Sequence, residues 1–254
     1  MAGNVRARAR AIWGLAMVEV LEMPIGYDKI RLNYQQVLAL TFEEGAGLAT
    51  YDRAKPFRPE LTLIGAPTWT QIIPSGLTVL DFDGAGDWIE GQAADTVDLD
   101  FTTGDYSIAG WVNWTNTALS EMIIARYELD VSGWELYFWD SILQLRHHHA
   151  AGATVRTGGY SGNWTPGVWW FFGISRIGAW PLHYRNGIAL EVGYSVGGML
   201  DPETCNRDLV LGCRWTKNAD WYQNQMWNIR LWDRALTAWD MQELFQMERK
   251  YFGV

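Results

Sequence analysis

The sequence predicts an all-β protein: an antiparallel two-sheet sandwich with an N-terminal arm and one short C-terminal helix. Short apolar runs separated by turn residues, with no helical patterns between them, argue against a parallel α/β sheet. Two hairpin signals support antiparallel pairing. Asp140-Ser141 lies between two strand-like runs, and Asn186-Gly187 joins two residues that tolerate positive φ. The third observation is a change of period near the end of the chain, from two to 3.6.

In Gln225–Trp232, period two sets Met226, Asn228, Arg230 and Trp232 on one face and Trp227, Ile229 and Leu231 on the other. At Thr237 a hydroxyl precedes an acid, Asp240, by three residues, a helix-starting pattern. Met241, Leu244, Phe245 and Glu248 then recur at helical spacing. The other strands are read as Val37–Phe42, Leu61–Ile64, Leu77–Phe82, Tyr106–Trp114, Met122–Arg126, Trp134–Trp139, Ile142–His148, Trp169–Arg176, Leu182–Arg185 and Leu209–Leu211.

The sandwich is expected to span 37–254, and residues 1–36 to form an arm. Arg6, Arg8 and Arg10 give the arm a basic, extended start. Trp13, Ala16, Met17, Val20 and Leu21 then mark one face of a short amphipathic helix that Pro24 ends. Basic residues before an apolar run also characterise signal peptides. Here Gly14 interrupts the run, Glu19 follows it and no small-x-small cleavage site comes after, which argues against secretion by this segment.

Composition sets further bounds. Of 254 residues 48% are hydrophobic, and the 16 tryptophans can supply a core without disulfides or metals, since each buried aromatic removes roughly 150–250 Å² from water. No run reaches the roughly 18–20 apolar residues of a membrane span. Cys205 and Cys213 flank the strand-like Asp208–Gly212; two cysteines make no disulfide framework, and whether they bridge stays open. The net charge is −9, and Arg6, Arg8 and Arg10, in a segment with no acid before Glu19, leave about −12 on the rest of the chain, which argues against nucleic acid as a partner of the body.

The segment Arg230-Leu231-Trp232-Asp233-Arg234-Ala235-Leu236-Thr237 resembles the closing segment of laminin-G-like, or concanavalin A-like lectin and glucanase, jelly-roll domains. Leu40–Gly45 with Gly47, Leu80–Gly84 with Asp87-Trp88-Ile89, Tyr106–Val112 and Tyr184–Gly187 resemble other parts of that pattern, in the same order. The resemblance covers about Val37 to Phe252. It implies a jelly roll in which Val37–Phe42 pairs beside Gln225–Trp232.

The resemblance also raises two chemistries. Glycosidases of this superfamily carry a carboxyl pair, and a retaining pair stands roughly 5–5.5 Å apart. Glu128, Asp130 and Glu135 are the nearest candidates, but four residues and a Ser132-Gly133 turn separate Asp130 from Glu135, which breaks the expected spacing. No enzyme activity is expected. Calcium-binding relatives use acids near the first strand and an Asp in the last, where this chain has Trp227 and Asn228. Glu43, Glu44 and Asp83 remain as weak calcium candidates, and no metal or other cofactor is expected. His147 and His149 share a strand face, which suits a two-histidine metal chelate or a solvent-facing strand end; the second reading is preferred.

Trp164, Trp180, Trp215, Trp221 and Tyr222 fall in or beside loops rich in Asn, Asp and Arg. Loop aromatics of this kind stack on sugars or anchor protein interfaces, and both readings stay open. Trp88, Trp111, Trp134, Trp169 and Trp170 are read as core or sheet-face residues.

The resemblance and the arm together imply a non-enzymatic structural or binding protein of a virion surface, such as a phage capsid decoration, head fibre or tail-associated module. Arg6, Arg8, Arg10, Trp13, Met17 and Leu21 would dock on a capsid, a tail or copies of the chain itself, and the sandwich would bind glycans. The alternative is a carbohydrate-binding or adhesion module of a cell-surface or secreted protein. A glycoside hydrolase ranks third.

Overall fold

The computed structural model describes residues 30–115, 120–150, 156–190, 193–194 and 198–254. The arm residues Arg6, Arg8, Arg10, Trp13, Met17 and Leu21 lie outside them. The chain divides into two compact units, Met1–Tyr34 and Gln35–Val254, and the second is the sandwich.

Seventeen strands are found among the described residues. They are β1 (Gln36–Leu40), β2 (Ala49–Tyr51), β3 (Glu60–Ile64), β4 (Thr68–Ile72), β5 (Leu77–Asp83), β6 (Trp88–Gly91), β7 (Tyr106–Trp114), β8 (Ser120–Glu128), β9 (Ser132–Trp139), β10 (Ile142–His148), β11 (Arg156–Ser161), β12 (Trp170–Ile177), β13 (Trp180–Arg185), β14 (Ile188–Ala189), β15 (Gly193–Tyr194), β16 (Leu209–Leu211) and β17 (Gln223–Trp232). They form two antiparallel sheets. The eight-stranded sheet runs β14-β13-β12-β7-β17-β5-β4 with β1 also on β17, and the nine-stranded sheet runs β15-β11-β10-β9-β8-β16-β6-β3-β2. The fold is the expected all-β jelly-roll sandwich with a short C-terminal helix.

Aromatic side chains fill the space between the sheets. Trp114 of β7 stacks on Phe138 of β9, with centroids 4.3 Å apart. Phe101 stacks on Tyr106 at 4.4 Å and leans on Trp134, whose indole N–H donates to the Leu99 carbonyl at 2.6 Å. Tyr106 also meets His147 Nε2 at 2.6 Å, and the Leu200 carbonyl meets Nδ1 at 2.7 Å. Both hairpin expectations hold: Trp139 pairs with Ile142 across Asp140-Ser141, and Arg185 with Ile188 across Asn186-Gly187, with all four turn residues at positive φ.

The expected alternation along β17 fails. Against β7 the register shifts between Trp227 and Arg230, and Asn228 takes φ +53. The bulge places one extra residue in the strand, so Trp227, Asn228 and Arg230 all serve the outer face of the sheet. Asn tolerates this left-handed backbone better than most residues. Gly110 of β7 makes room beside the bulge: a Cβ there would come within 2.6 Å of Ile229 Cδ1.

The C-terminal helix, Ala238–Glu248, covers that outer face. Thr237 caps it as expected: its hydroxyl accepts from Asp240 N at 3.1 Å, and the Asp240 carboxylate accepts from Thr237 N at 2.9 Å. Met241, Leu244, Phe245 and Glu248 are buried, as their spacing predicts. Glu248 reaches back into the sheet. It accepts from Trp111 Nε1 at 2.7 Å and Asn228 Nδ2 at 3.0 Å, and pairs with Arg230 at 2.9 Å. Burial pushes the Glu248 pKa up, and Arg230, Trp111 and Asn228 pull it back. Phe252, beyond the helix, stacks on Trp111 at 4.0 Å.

Cys205 and Cys213, whose bridging the sequence left open, are buried free thiols. One sequence reading is corrected. His147, His148 and His149 do not face solvent; each is at most 3% exposed and has hydrogen-bonding or ionic contacts inside the protein. Strand readings missed β2, β4, β6, β11, β14 and β15. These strands are short or, as in Arg156–Ser161 with Gly158-Gly159, lack the apolar alternation that reveals a strand.

Glu248→Ala is expected to cost about 3–5 kcal/mol in urea denaturation, because it leaves Arg230 buried without its carboxylate; a loss below about 1 kcal/mol would contradict the clamp. A second expectation concerns acid. Burial lowers His147 and His183 from 6.5 to about 3. The unfolded chain therefore binds more protons than the folded one between pH 6.5 and 3, so stability present above pH 6.5 falls as pH falls through that window. Each histidine should remove roughly 2 kcal/mol between pH 6.5 and 5, and a flat denaturation midpoint over that range would contradict their burial.

Candidate functional site

The helix and C-terminal tail occupy part of the outer face of the eight-stranded sheet. The corresponding face of the nine-stranded sheet carries a groove of about 250 Å³. Its floor is set by the Asp140-Ser141 hairpin. Because Trp139 pairs with Ile142, Tyr137 falls opposite Gln144 and Glu135 opposite Arg146. Side chains two apart share a face, so Glu135, Tyr137 and Trp139 form one stripe and Gln144, Arg146 and His148 the next. Tyr127 of β8 and Leu129 beyond it extend the floor, and Arg214 and Asp220 of the 212–222 loop form one wall.

This loop is fastened at several points. Asp220 O accepts from Met122 N at 3.0 Å, and Arg214 N donates to Ala219 O at 3.1 Å. Lys217 bridges Glu90 at 2.8 Å and Asp208 at 2.9 Å, anchoring the loop to β6 and to the turn before β16. Beneath it lies a second apolar layer of Met122, Ala125, Tyr127, Tyr137, Val210 and Cys213, with Trp88, Trp215 and Trp221 packed against it. Burial pushes the Cys213 thiol up to about 12, so it behaves as an apolar filler.

The polar groups of the groove differ in how they are committed. His148 accepts from Asp130 N at Nδ1, 3.2 Å, and its Nε2 lies 3.2 Å from a Glu135 carboxylate oxygen without hydrogen-bond geometry. Tyr127 stacks on His148 at 4.7 Å and also bonds Glu135; burial, then the Glu135 charge, pushes its phenol pKa up. Arg214 pairs with Asp220 at 2.8 Å, and burial raises the Asp220 pKa against the pull of Arg214. Arg146 lies over the Tyr137 ring, 5.1 Å from its centroid, and the Tyr137 hydroxyl donates to Gln144 at 3.0 Å. Trp139 is 54% exposed. An open indole beside convergent polar groups suits a ligand with alternating apolar and hydroxylated surfaces.

The sequence-derived aromatic set does not converge on one site. Trp164 and Tyr222 are buried, which corrects their placement as partner-facing residues. Trp164 is 1% exposed and its indole N–H donates to Ser161 O; the Tyr222 hydroxyl donates to Asn113 O and Gln225 O. Trp215 and Trp221 are half-buried props under the loop, and Trp180 is exposed on β13, in the other sheet. Glu128 is held by Arg207 through two contacts, at 2.8 and 3.2 Å, and Glu135 by His148. Of the calcium candidates, Glu43 and Glu44 lie 3.8 and 3.7 Å from Arg53, while Asp83 accepts from Ala85 N. Trp227 and Asn228, where the resemblance implies a calcium-binding Asp, instead meet the C-terminal tail and Glu248. Among the described residues no group of three or more His, Cys, Asp or Glu is placed to hold a metal, and no helix is long and apolar enough to cross a membrane.

The groove residues Tyr127, Tyr137, Trp139 and Arg146 were missed as a site. Their signal was the tight hairpin, which fixes the register and so sets the two polar stripes side by side.

No family model matches the sequence, and no curated protein matches it. Solved structures do share the fold. The receptor-binding domain of botulinum neurotoxin C/D mosaic serotype superposes with TM-score 0.66 at 15% identity, covering 87% of this chain and 55% of that one. The botulinum neurotoxin serotype D binding domain gives 0.64 at 15%, covering 84% and 51%. The binding domain of botulinum neurotoxin DC, solved in complex with rat synaptotagmin II, gives 0.62 at 13%, covering 85% and 52%. The chain thus spans about half the length of these domains and is similar to them in fold.

Proposed function

We propose that the chain is a non-enzymatic binding module whose sandwich recognises glycans in the groove on the nine-stranded sheet. The observation that carries this reading is the exposed Trp139 indole beside convergent hydrogen-bonding groups, next to a loop fastened to the sheet. Ligand clefts ordinarily run to roughly 300–1,000 Å³, so a groove of about 250 Å³ fits a short saccharide segment. The commitment of Glu128 to Arg207 and of Glu135 to His148 supports binding over hydrolysis. That the similar solved structures are binding domains agrees with this reading.

The arm gives the proposal its second part. Arg6, Arg8 and Arg10 stand against an acidic remainder, and the chain divides between Tyr34 and Gln35. The arm tethers the module to a larger assembly, and a virion surface is the setting proposed.

With the full chain on a saccharide array, Trp139→Ala should weaken binding at least about 10-fold, the scale of losing one well-placed contact, with unchanged thermal melting, whereas Tyr137→Ala, which empties a buried position, should weaken binding and also lower the melting temperature. Binding that survives both changes would overturn the groove as the site. Removing residues 1–34 should abolish co-sedimentation with the parent assembly and leave saccharide binding intact; retained co-sedimentation would remove the tethering role.

A further inference from the structure

The charged groups of the groove are not equivalent. Glu135 answers to His148 and Tyr127, and Asp220 to Arg214. Arg146 is different. Its guanidinium rests on the Tyr137 ring, and among the described residues no carboxylate lies within 4.0 Å of it. It lines the groove and is half-buried, and the residue opposite it in the register, Glu135, has its carboxylate bonded by Tyr127 and 3.2 Å from the His148 imidazole. A guanidinium stacked on a ring has its plane fixed while its N–H edge remains free, the arrangement that recognises a carboxylate through two parallel hydrogen bonds.

We infer that the groove selects carboxylate-bearing saccharides of the uronic acid class, with Arg146 pairing the sugar carboxylate while Trp139 stacks on the ring. The inference rests on the glycan reading above and names its ligand class. The acidic body does not oppose it decisively, because charges further than about 8 Å away are screened at physiological salt. The groove lining itself carries Arg146, with no carboxylate within 4.0 Å among the described residues, the paired Arg214, and two carboxylates, Glu135 and Asp220, that already have partners. Arg146 acts as a specificity residue: it discriminates among sugars, while the aromatic floor supplies contact common to all of them.

The test is a calorimetric titration of the full chain with an oligogalacturonide, its carboxyl-methyl ester and the neutral galactose oligomer. The unmodified chain should prefer the acid at least about 10-fold over both neutral forms. Arg146→Gln should erase that preference and leave neutral-sugar binding unchanged, and Arg146→Lys should restore it only in part, because an ammonium lacks the planar fork. Equal binding of acid and ester, or a preference that survives Arg146→Gln, would overturn the inference while leaving the glycan reading in place. Absence of binding to all three sugars and to the wider array would overturn both. An Asp- and Glu-rich peptide of matching charge serves as a further arm: Arg146-dependent binding of the peptide with none of the uronide would overturn the saccharide assignment.

Discussion

The contact on which this architecture depends is the buried pairing of Glu248 with Arg230, Trp111 and Asn228. A carboxylate taken out of water is tolerated only where donors and a cation surround it. All three partners come from the eight-stranded sheet, and two of them, Asn228 and Arg230, reach the helix side because a bulge resets the alternation of β17. The C-terminal helix is thereby held to that sheet at its far end, while the Thr237-Asp240 capping box fixes its start. Met241 and Phe245 between these two points pack against the same face, Met241 beside Gly173 and Phe245 beside Trp111 and Phe171.

This closure has a functional consequence. A sandwich has two outer faces, and here the helix and the following tail cover the central strands of one of them. On the other, the loop between β16 and β17 lies over one side of the sheet and ends short of the β9–β10 hairpin. The groove is the step left between the loop and the hairpin. Its walls are rigid for identifiable reasons: Lys217 holds the loop to two carboxylates, the half-buried Trp215 and Trp221 support it from below, and a two-residue turn sets the hairpin register. A site built this way loses little freedom on binding, which favours a module that recognises its ligand through preformed contacts.

Much of the fold was legible in the sequence. Alternating apolar runs marked eleven strands, paired turn residues marked two hairpins, and a capping pattern marked the helix. The rest was hidden by the nature of those same signals. Period two cannot announce a bulge, so Trp227 was assigned to the wrong face. A loop context does not report burial, so Trp164 and Tyr222 were read as surface residues although both fill interior space. The His147–His149 run looked like a solvated strand end, whereas the 156–161 strand and the 199–201 segment wrap it. The groove residues were least visible, because Tyr137, Trp139 and Arg146 come together through register across a hairpin rather than through any local motif. That register depends on Asp140-Ser141, so the site was present in the sequence as pairing information.

The most direct test of the account is hydrogen–deuterium exchange of the full chain with and without saturating saccharide. Added protection confined to the β9–β10 hairpin, 132–148, and the 212–222 loop is the predicted result. Protection centred instead on β13 and β14, around the exposed Trp180 and Ile188, with the hairpin and loop unchanged, would contradict it and move recognition to the opposite sheet.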